Sequence, residues 1–165
     1  MAEAARYRVE VSSDHLRFAA AHFIAYPGFR EPLHGHNYQV SVRVEAALGP
    51  DGYVLDFGLV KRIADGLCRE LTEHTILPTR SDCVEVAKRG ESVHVVTEDG
   101  GRFEFPAADC VLLPIVHSSA EEIADYLLGR LREALGAEVA ARGVRSIVVG
   151  VAEAPGQTAY CVETL

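Results

Sequence analysis

Alternation of apolar and polar residues predicts two long β-strands in the first third of the chain. Apolar residues occupy the odd positions of segment 7–11, and after a bend at 12–14 the strand is expected to continue through 16–23. In the segment from about 35 to 46 the apolar residues occupy even positions. A period of two residues is typical of a strand that buries one face. Both segments are therefore predicted to line the core.

Two later segments show the periodicity of amphipathic helices. Asp56 is placed to cap the first helix, which is predicted to run to about Glu73. Ser119 is placed to cap the second helix, because Glu122 follows it at the spacing of a capping box. Gly143 lies beyond the predicted end of this second helix.

The other periodic segments predict a hairpin and two final strands. Apolar residues flank the turn Asp99-Gly100-Gly101, which predicts a hairpin over 91–105. Segments 144–153 and 158–163 predict the last two strands. The order indicates an α+β fold with the helices on one face of an antiparallel sheet.

Composition and charge narrow the class of protein. The chain has 165 residues, which predicts a single domain over 1–165, and 48% of them are hydrophobic, enough for a core. A net charge of −8 without a basic stripe argues against a nucleic-acid partner. No apolar run approaches the roughly 20 residues that span a bilayer, and the first residues lack the pattern of a secretory signal. We therefore expect a cytoplasmic protein with no membrane partner.

Three histidines are candidates for a metal site. His34 and His36 are two positions apart on the second predicted strand, so both point to one face, about 6.6 Å apart along the chain. That spacing allows both rings to reach one ion. His22 ends the first predicted strand, which could pair with the second and supply a third ligand. Three histidines with an open fourth position are typical of catalytic zinc.

Six segments resemble one enzyme family in sequence and in order. The resemblance is to the 6-pyruvoyl-tetrahydropterin synthase and 6-carboxytetrahydropterin synthase family, and it spans nearly the whole chain. The segments are FAAAH (18–22), LHGHNY (33–38), GYVLDF (52–57), EH (73–74) followed by Leu77, SSAE (118–121) and VAE (151–153).

The resemblance implies a fold and an assembly. It implies the tunnelling fold, a β-β-α-α-β-β unit whose sheets join in an oligomeric barrel, with approximately 79–117 as an insertion that contains the hairpin. It also implies a homohexamer built as a dimer of trimers, with active sites at the subunit junctions. In such an assembly Glu153 is expected to serve a site whose zinc belongs to a neighbour.

The resemblance also implies a role for each site residue. The implied Zn²⁺ ligands are His22, His34 and His36. The implied catalytic residues include His74, with Glu73 in place of the aspartate that usually accompanies it. The implied substrate-binding residues are Glu153 and Ser119. Glu153 binds the pterin ring, and Ser119 stands where the family usually has a threonine that contacts the pterin.

One departure from the family pattern concerns the catalytic base. The family's usual cysteine shortly before His34 is absent, and all four cysteines of the chain lie at position 68 or later. Glu31 stands three residues before His34 instead. This resembles the branch known from malaria parasites and some bacteria, in which a glutamate replaces the cysteine. Arg30, beside it, is a candidate counter-charge for substrate phosphate.

The implied activity is that of a zinc-dependent lyase. In the glutamate branch the side chain of 7,8-dihydroneopterin triphosphate is cleaved to 6-hydroxymethyl-7,8-dihydropterin, a folate precursor, with Glu31 as the base. The alternative within the family is elimination of triphosphate, which gives 6-pyruvoyl-tetrahydropterin or 6-carboxytetrahydropterin for the biopterin or queuosine pathway. A non-catalytic protein that binds zinc and pterin is the alternative from another class.

Overall fold

The computed structural model describes residues 6–165, which form one large sheet, a smaller sheet, a short hairpin and three helices. In chain order the elements are β1 (Tyr7–His22), β2 (Ala25–Tyr26), β3 (Phe29–Arg30), β4 (His34–Ala46), α1 (Phe57–Leu71), β5 (His74–Pro78), β6 (Val84–Arg89), β7 (Ser92–Thr97), β8 (Arg102–Pro106), β9 (Cys110–Leu113), α2 (Ala120–Leu135), α3 (Ala137–Ala141), β10 (Ser146–Ala154) and β11 (Gln157–Thr164).

The long ladder between β1 and β4 follows the predicted alternation. The two strands pair antiparallel from Tyr7 with Ala46 to His22 with His34, and the register shifts between Ser12 and Arg17, where the bend was predicted. The even positions of β4 from Tyr38 onward are buried. The parity prediction is therefore confirmed.

The large sheet is mixed, which corrects the prediction of an antiparallel sheet. Its order is β11-β10-β4-β1-β5-β9, and β5 lies parallel to both β1 and β9. The reason is that α1 crosses over and returns the chain to the far side of β1, where β5 runs in the same direction as β1. Within the described residues the sheet is open, and the oligomeric barrel stays a prediction.

Two capped helices cover one face of this sheet. The Asp56 carboxylate accepts a hydrogen bond from Gly58 N at the start of α1, and Ser119 Oγ accepts one from Glu122 N at the start of α2. Both predicted caps are confirmed. The second helix ends at Leu135 because Gly136, at a φ of 45°, breaks it before the short α3, and Gly143 lies beyond that end as predicted. In residues 6–165, no helix combines the length and the apolar character needed to cross a membrane.

The inserted segment is larger than a hairpin. Strands β7 and β8 form the predicted hairpin, but β6 pairs with β7 on its other side to make a three-stranded antiparallel sheet. A second apolar cluster, separate from the main core, joins this sheet to the chain just after β1 through Phe23 and Ala25. The insertion therefore packs beside the predicted metal site.

Candidate metal centre and active site

Three histidines meet where β1 ends and β4 begins. One nitrogen of each ring lies within 4.8 Å of the others, and the ring centroids are 4.6 to 5.1 Å apart. Pairing of His22 with His34 in the ladder puts both at one end of the sheet, and His36 follows on the same face. The structure thus brings together the three histidines predicted from the sequence.

Backbone carbonyls fix the tautomers of two of these rings. His22 Nδ1 donates to Ser118 O over 2.6 Å, and His34 Nδ1 donates to Pro32 O over 2.8 Å. Each ring therefore presents an unprotonated Nε2. The Nε2 atoms of His22 and His36 are buried and have no hydrogen-bond partner among the described residues. Three converging nitrogens of this kind fit a divalent metal ion.

The electrostatics of the cluster keep His22 neutral. Burial lowers the pKa of His22 below its ordinary value of 6.5, and the neighbouring His34 and His36 lower it further. The hydrogen bond with Ser118 and the negative charge of Glu153 oppose this shift in pKa. Since a metal binds only the neutral imidazole, this environment keeps the ring in the form a metal requires.

The glycine between the paired histidines is required by close packing. A Cβ at position 35 would lie 3.0 Å from the carbonyl oxygen of Ala20 on β1. That oxygen is backbone and cannot move without opening the ladder. Gly35 therefore allows β4 to approach β1 where the histidines converge.

Glu31 lies on the loop that joins the hairpin β2–β3 to β4. Its Oε2 accepts a hydrogen bond of 3.0 Å from Ile24 N, and its own amide donates to Ile24 O over 2.9 Å. The side chain is half-buried. Glu31 is thus a held carboxylate with its second oxygen outside these contacts.

Tyr38 packs against two of the three histidines. Its ring contacts His22 and His36 edge-on, with centroids 5.9 and 5.4 Å away. Its hydroxyl is fully buried and has no hydrogen-bond partner in the described part of the chain. Burial raises the pKa of Tyr38, and the negative charges of Glu153 and Glu31 raise it further.

Glu153 lies toward the histidine end of the sheet. It is on β10, which pairs with β4, and its negative charge acts on His22 of the same chain. That Glu153 serves a site whose zinc belongs to a neighbour stays a prediction.

His74 and Glu73 line a cleft that one of the three histidines also lines. Together with His36 and Asp109 they line a cleft of about 470 Å³, whose lining includes neither Glu31 nor Glu153. His74 Nδ1 donates to Thr72 O over 2.6 Å, so the backbone holds the ring, and a contact from Glu73 would have to use Nε2. Glu73 adopts a φ of 61°, which a glutamate rarely does.

Two residues, Ser118 and Arg30, have contacts that the sequence did not reveal. Ser118, fully buried, orients His22 through its carbonyl and donates its hydroxyl to Phe23 O over 2.8 Å. Ser119 caps α2, and its substrate role stays a prediction. Arg30 forms an ion pair of 2.9 Å with Asp99, and its role as a counter-charge for phosphate stays a prediction.

Comparison with known proteins identifies the family. The profile of the 6-pyruvoyl tetrahydropterin synthase family matches residues 10–164. This chain belongs to that family. A relative from Methanocaldococcus jannaschii, provisionally named 6-carboxy-5,6,7,8-tetrahydropterin synthase, is 30% identical over 149 residues, which cover 87% of this chain and 88% of the relative.

Two solved structures from malaria parasites are closely similar. The 6-pyruvoyl tetrahydropterin synthase of Plasmodium vivax superimposes with a TM-score of 0.94 at 39% identity and covers 98% of this chain and 99% of its own. The Plasmodium falciparum enzyme superimposes with a TM-score of 0.94 at 40% identity and covers 97% of this chain and 99% of its own. Two further P. vivax structures are catalytic-residue variants in which a glutamate is replaced by alanine or cysteine.

One shorter match carries a different activity in its name. A dihydroneopterin monophosphate aldolase from Pyrococcus furiosus is 37% identical over 59 residues, which cover 36% of this chain and 50% of that protein.

Proposed function

We propose that this chain is a zinc-dependent lyase that acts on the side chain of a phosphorylated 7,8-dihydroneopterin, with Glu31 as its general base. The single observation that carries the proposal is the convergence of three histidine nitrogens within 4.8 Å of one another, with the Glu31 carboxylate held by Ile24, two residues after His22. Membership of the pterin synthase family supplies the substrate class. The family is one of enzymes, which disfavours a purely binding role.

Each residue of the site has a chemical task in this proposal. His22, His34 and His36 would hold zinc, which when bound acts as a Lewis acid and lowers the pKa of the substrate hydroxyls. The Glu153 carboxylate can accept two hydrogen bonds from the amino and imino groups of the pterin ring and so fix its orientation. Glu31 takes the proton of a side-chain hydroxyl.

A carboxylate base suits carbon–carbon cleavage. When Glu31 removes the hydroxyl proton, the bond between the first two side-chain carbons can break, and the phosphate-bearing fragment leaves as an aldehyde. The ring-bound carbon then needs a proton, for which His74 is the candidate acid. The product is 6-hydroxymethyl-7,8-dihydropterin. The partial match to an aldolase supports this outcome.

The second candidate is one of the two synthase reactions. The relatives that match along most of their length are named 6-pyruvoyl or 6-carboxy tetrahydropterin synthases, so their names favour this alternative over cleavage. By the family resemblance, both reactions rely on a cysteine that this chain lacks. Cys83, which packs with Phe23 and Ala25 beside the Glu31 loop, is buried, and burial raises the pKa of its thiol.

Product analysis distinguishes the reactions. Purified protein with one equivalent of zinc is incubated with 7,8-dihydroneopterin triphosphate, and the pterins are separated and identified by mass. We expect 6-hydroxymethyl-7,8-dihydropterin. Appearance of 6-pyruvoyl-tetrahydropterin or 6-carboxytetrahydropterin instead would establish the synthase reaction. Recovery of unchanged substrate, with the monophosphate tested in parallel, would overturn the catalytic proposal for this substrate class.

A further inference from the structure

The inserted sheet β6–β8 contacts the loop that carries Glu31 at several points. Phe23 stacks on Phe103 with ring centroids 5.2 Å apart, and Gly28 N donates to Glu98 Oε2 over 3.1 Å. The guanidinium of Arg30 lies over the Phe103 ring, 5.6 Å from its centroid. These contacts come from the turn between β7 and β8 and from β8 itself. The insertion thus supports the loop from 23 to 31.

Asp99, in the β7–β8 turn, is the best-held carboxylate of this contact. Its Oδ2 accepts a hydrogen bond of 2.9 Å from Arg30 Nε. Its Oδ1 accepts hydrogen bonds from the Thr97 hydroxyl and from Gly101 N. The Thr97 hydroxyl and the Arg30 guanidinium lower the pKa of Asp99 to about 2. Asp99 is therefore an oriented, fully ionised group at neutral pH.

A continuous path of hydrogen bonds joins Asp99 to the Glu31 carboxylate. Arg30, oriented by Asp99, donates from its Nη1 to Glu31 O over 3.1 Å. The Glu31 amide donates to Ile24 O, and Ile24 N donates to Glu31 Oε2. The Glu31 carbonyl is thus held by Arg30, and the Glu31 amide and carboxylate are held by the backbone of Ile24.

Overall stability does not explain this arrangement. The Arg30 and Asp99 side chains are 24% and 49% exposed, and ion pairs at such positions contribute little to the free energy of unfolding. Placement of a reacting group is more sensitive, because an error of about 1 Å can cost a hundredfold in rate. The contact therefore matters for where Glu31 lies more than for whether the chain folds.

We propose that Asp99 is a positioning residue of the active site, which acts through Arg30 on the Glu31 carboxylate, and that the insertion supplies it. This inference rests on the proposed function in one respect, the role of Glu31 as the base. It assigns a task to the inserted sheet.

The test compares Asp99→Asn with a matched control on the same sheet. Glu104→Gln is the control, because Glu104 lies on β8 and pairs with His94 rather than with the loop. For Asp99→Asn we expect kcat to fall about tenfold to a hundredfold at an unchanged KM, with full metal content and an unfolding midpoint within about 2 °C of the wild type. In a Glu31→Gln background the same substitution is expected to cost nothing further.

Deuterium exchange separates this inference from the proposed function. The amides of Ile24 and Glu31 are the reporters, since each donates within the held loop. Faster exchange in Asp99→Asn but not in Glu104→Gln supports the positioning role whether or not the substrate is turned over. Equal exchange in the two variants, or a further loss of kcat in the Glu31→Gln background, overturns it. A wild type without turnover contradicts the proposed function alone.

Discussion

At the scale of single residues, the proposed chemistry depends on the carboxylate of Glu31. A carboxylate is a weaker base than a thiolate, which suits it to a hydroxyl proton that a metal has made acidic. The hydrogen bond from Ile24 N holds one of its oxygens and leaves the other outside this contact.

The first prediction concerns Glu31→Gln. Loss of the base is expected to lower turnover by about two to four powers of ten, with unchanged zinc content because Glu31 is outside the histidine cluster. Steady-state rates and metal analysis of the same preparation measure both effects. Glu85→Gln, at an exposed position of β6, is the control. Near-normal turnover of Glu31→Gln would mean that Glu31 is not the base and would make Glu73 and His74 the candidates.

The second prediction concerns the metal. We expect one zinc ion per chain in the wild type and a loss of most of it in His34→Ala, because two nitrogens hold zinc far less tightly than three. His94→Ala is the matched control, since His94 lies on β7 and outside the cluster. Metal analysis after dialysis gives the ratio. Full occupancy and activity in His34→Ala would exclude it as a ligand.

These residues were not equally predictable from the sequence, for physical reasons. Strand parity was enough to put His34 and His36 on one face, and the pairing of β1 with β4 brought His22 to them. Ser118 could not be found this way, because it is 96 positions from His22 and contributes a backbone carbonyl that every residue possesses. The role of Tyr38 was hidden because its apolar ring fits the core pattern.

At the scale of elements, the close approach of β1 and β4 holds the histidines together. The third prediction is that Gly35→Ala weakens metal binding about tenfold or more and lowers the free energy of unfolding by about 1 to 3 kcal/mol. The physical reason is the clash of the new Cβ with Ala20 O. Competition with a chelator and denaturant unfolding measure the two effects.

A second glycine provides the control for this experiment. Gly66 lies on α1 and is exposed, and a Cβ added there would meet no atom within 4 Å. Gly66→Ala is expected to leave metal binding unchanged and to raise the free energy of unfolding by up to about 1 kcal/mol. If Gly35→Ala behaved like Gly66→Ala, the close approach would not be what positions the histidines.

Elements with a clear period were predictable, whereas short ones were not. The two capped helices and the β7–β8 hairpin follow directly from periodicity and turn residues. Strand β5 is only five residues long and lies between two neighbours, so its apolar residues show no alternation. Its parallel pairing with β1 depends on the crossover through α1, which no local sequence pattern predicts. The mixed sheet was missed for this reason.

At the scale of the whole molecule, the large sheet leaves apolar surface exposed at an edge. On β11, Tyr160 and Val162 are 50% and 61% exposed and lie on one face. Exposed apolar edge strands of soluble proteins are usually covered by a partner. This supports the predicted homohexamer, although the described chain alone forms an open sheet.

The fourth prediction tests that assembly. Light scattering of the wild type at micromolar concentration is expected to give the mass of six chains. Val162→Lys is expected to shift the mass toward smaller species, because a buried lysine at a subunit contact is costly. Val96→Lys, on the inserted sheet and 37% exposed, is the control and should leave the mass unchanged. A monodisperse wild-type monomer would contradict the prediction.

The fifth prediction joins the assembly to the chemistry. Glu73 and His74 line a cleft whose lining includes His36 but not Glu31. If the His74 of one subunit is the acid in the site that contains a neighbour's Glu31, the two variants Glu31→Gln and His74→Ala are each inactive alone. In mixed assemblies they complement each other. Random mixing leaves both residues intact in about a quarter of the sites. Coexpression with two affinity tags, purification through both and a rate measurement test this. Mixed assemblies as inactive as either parent would place the complete site within one chain.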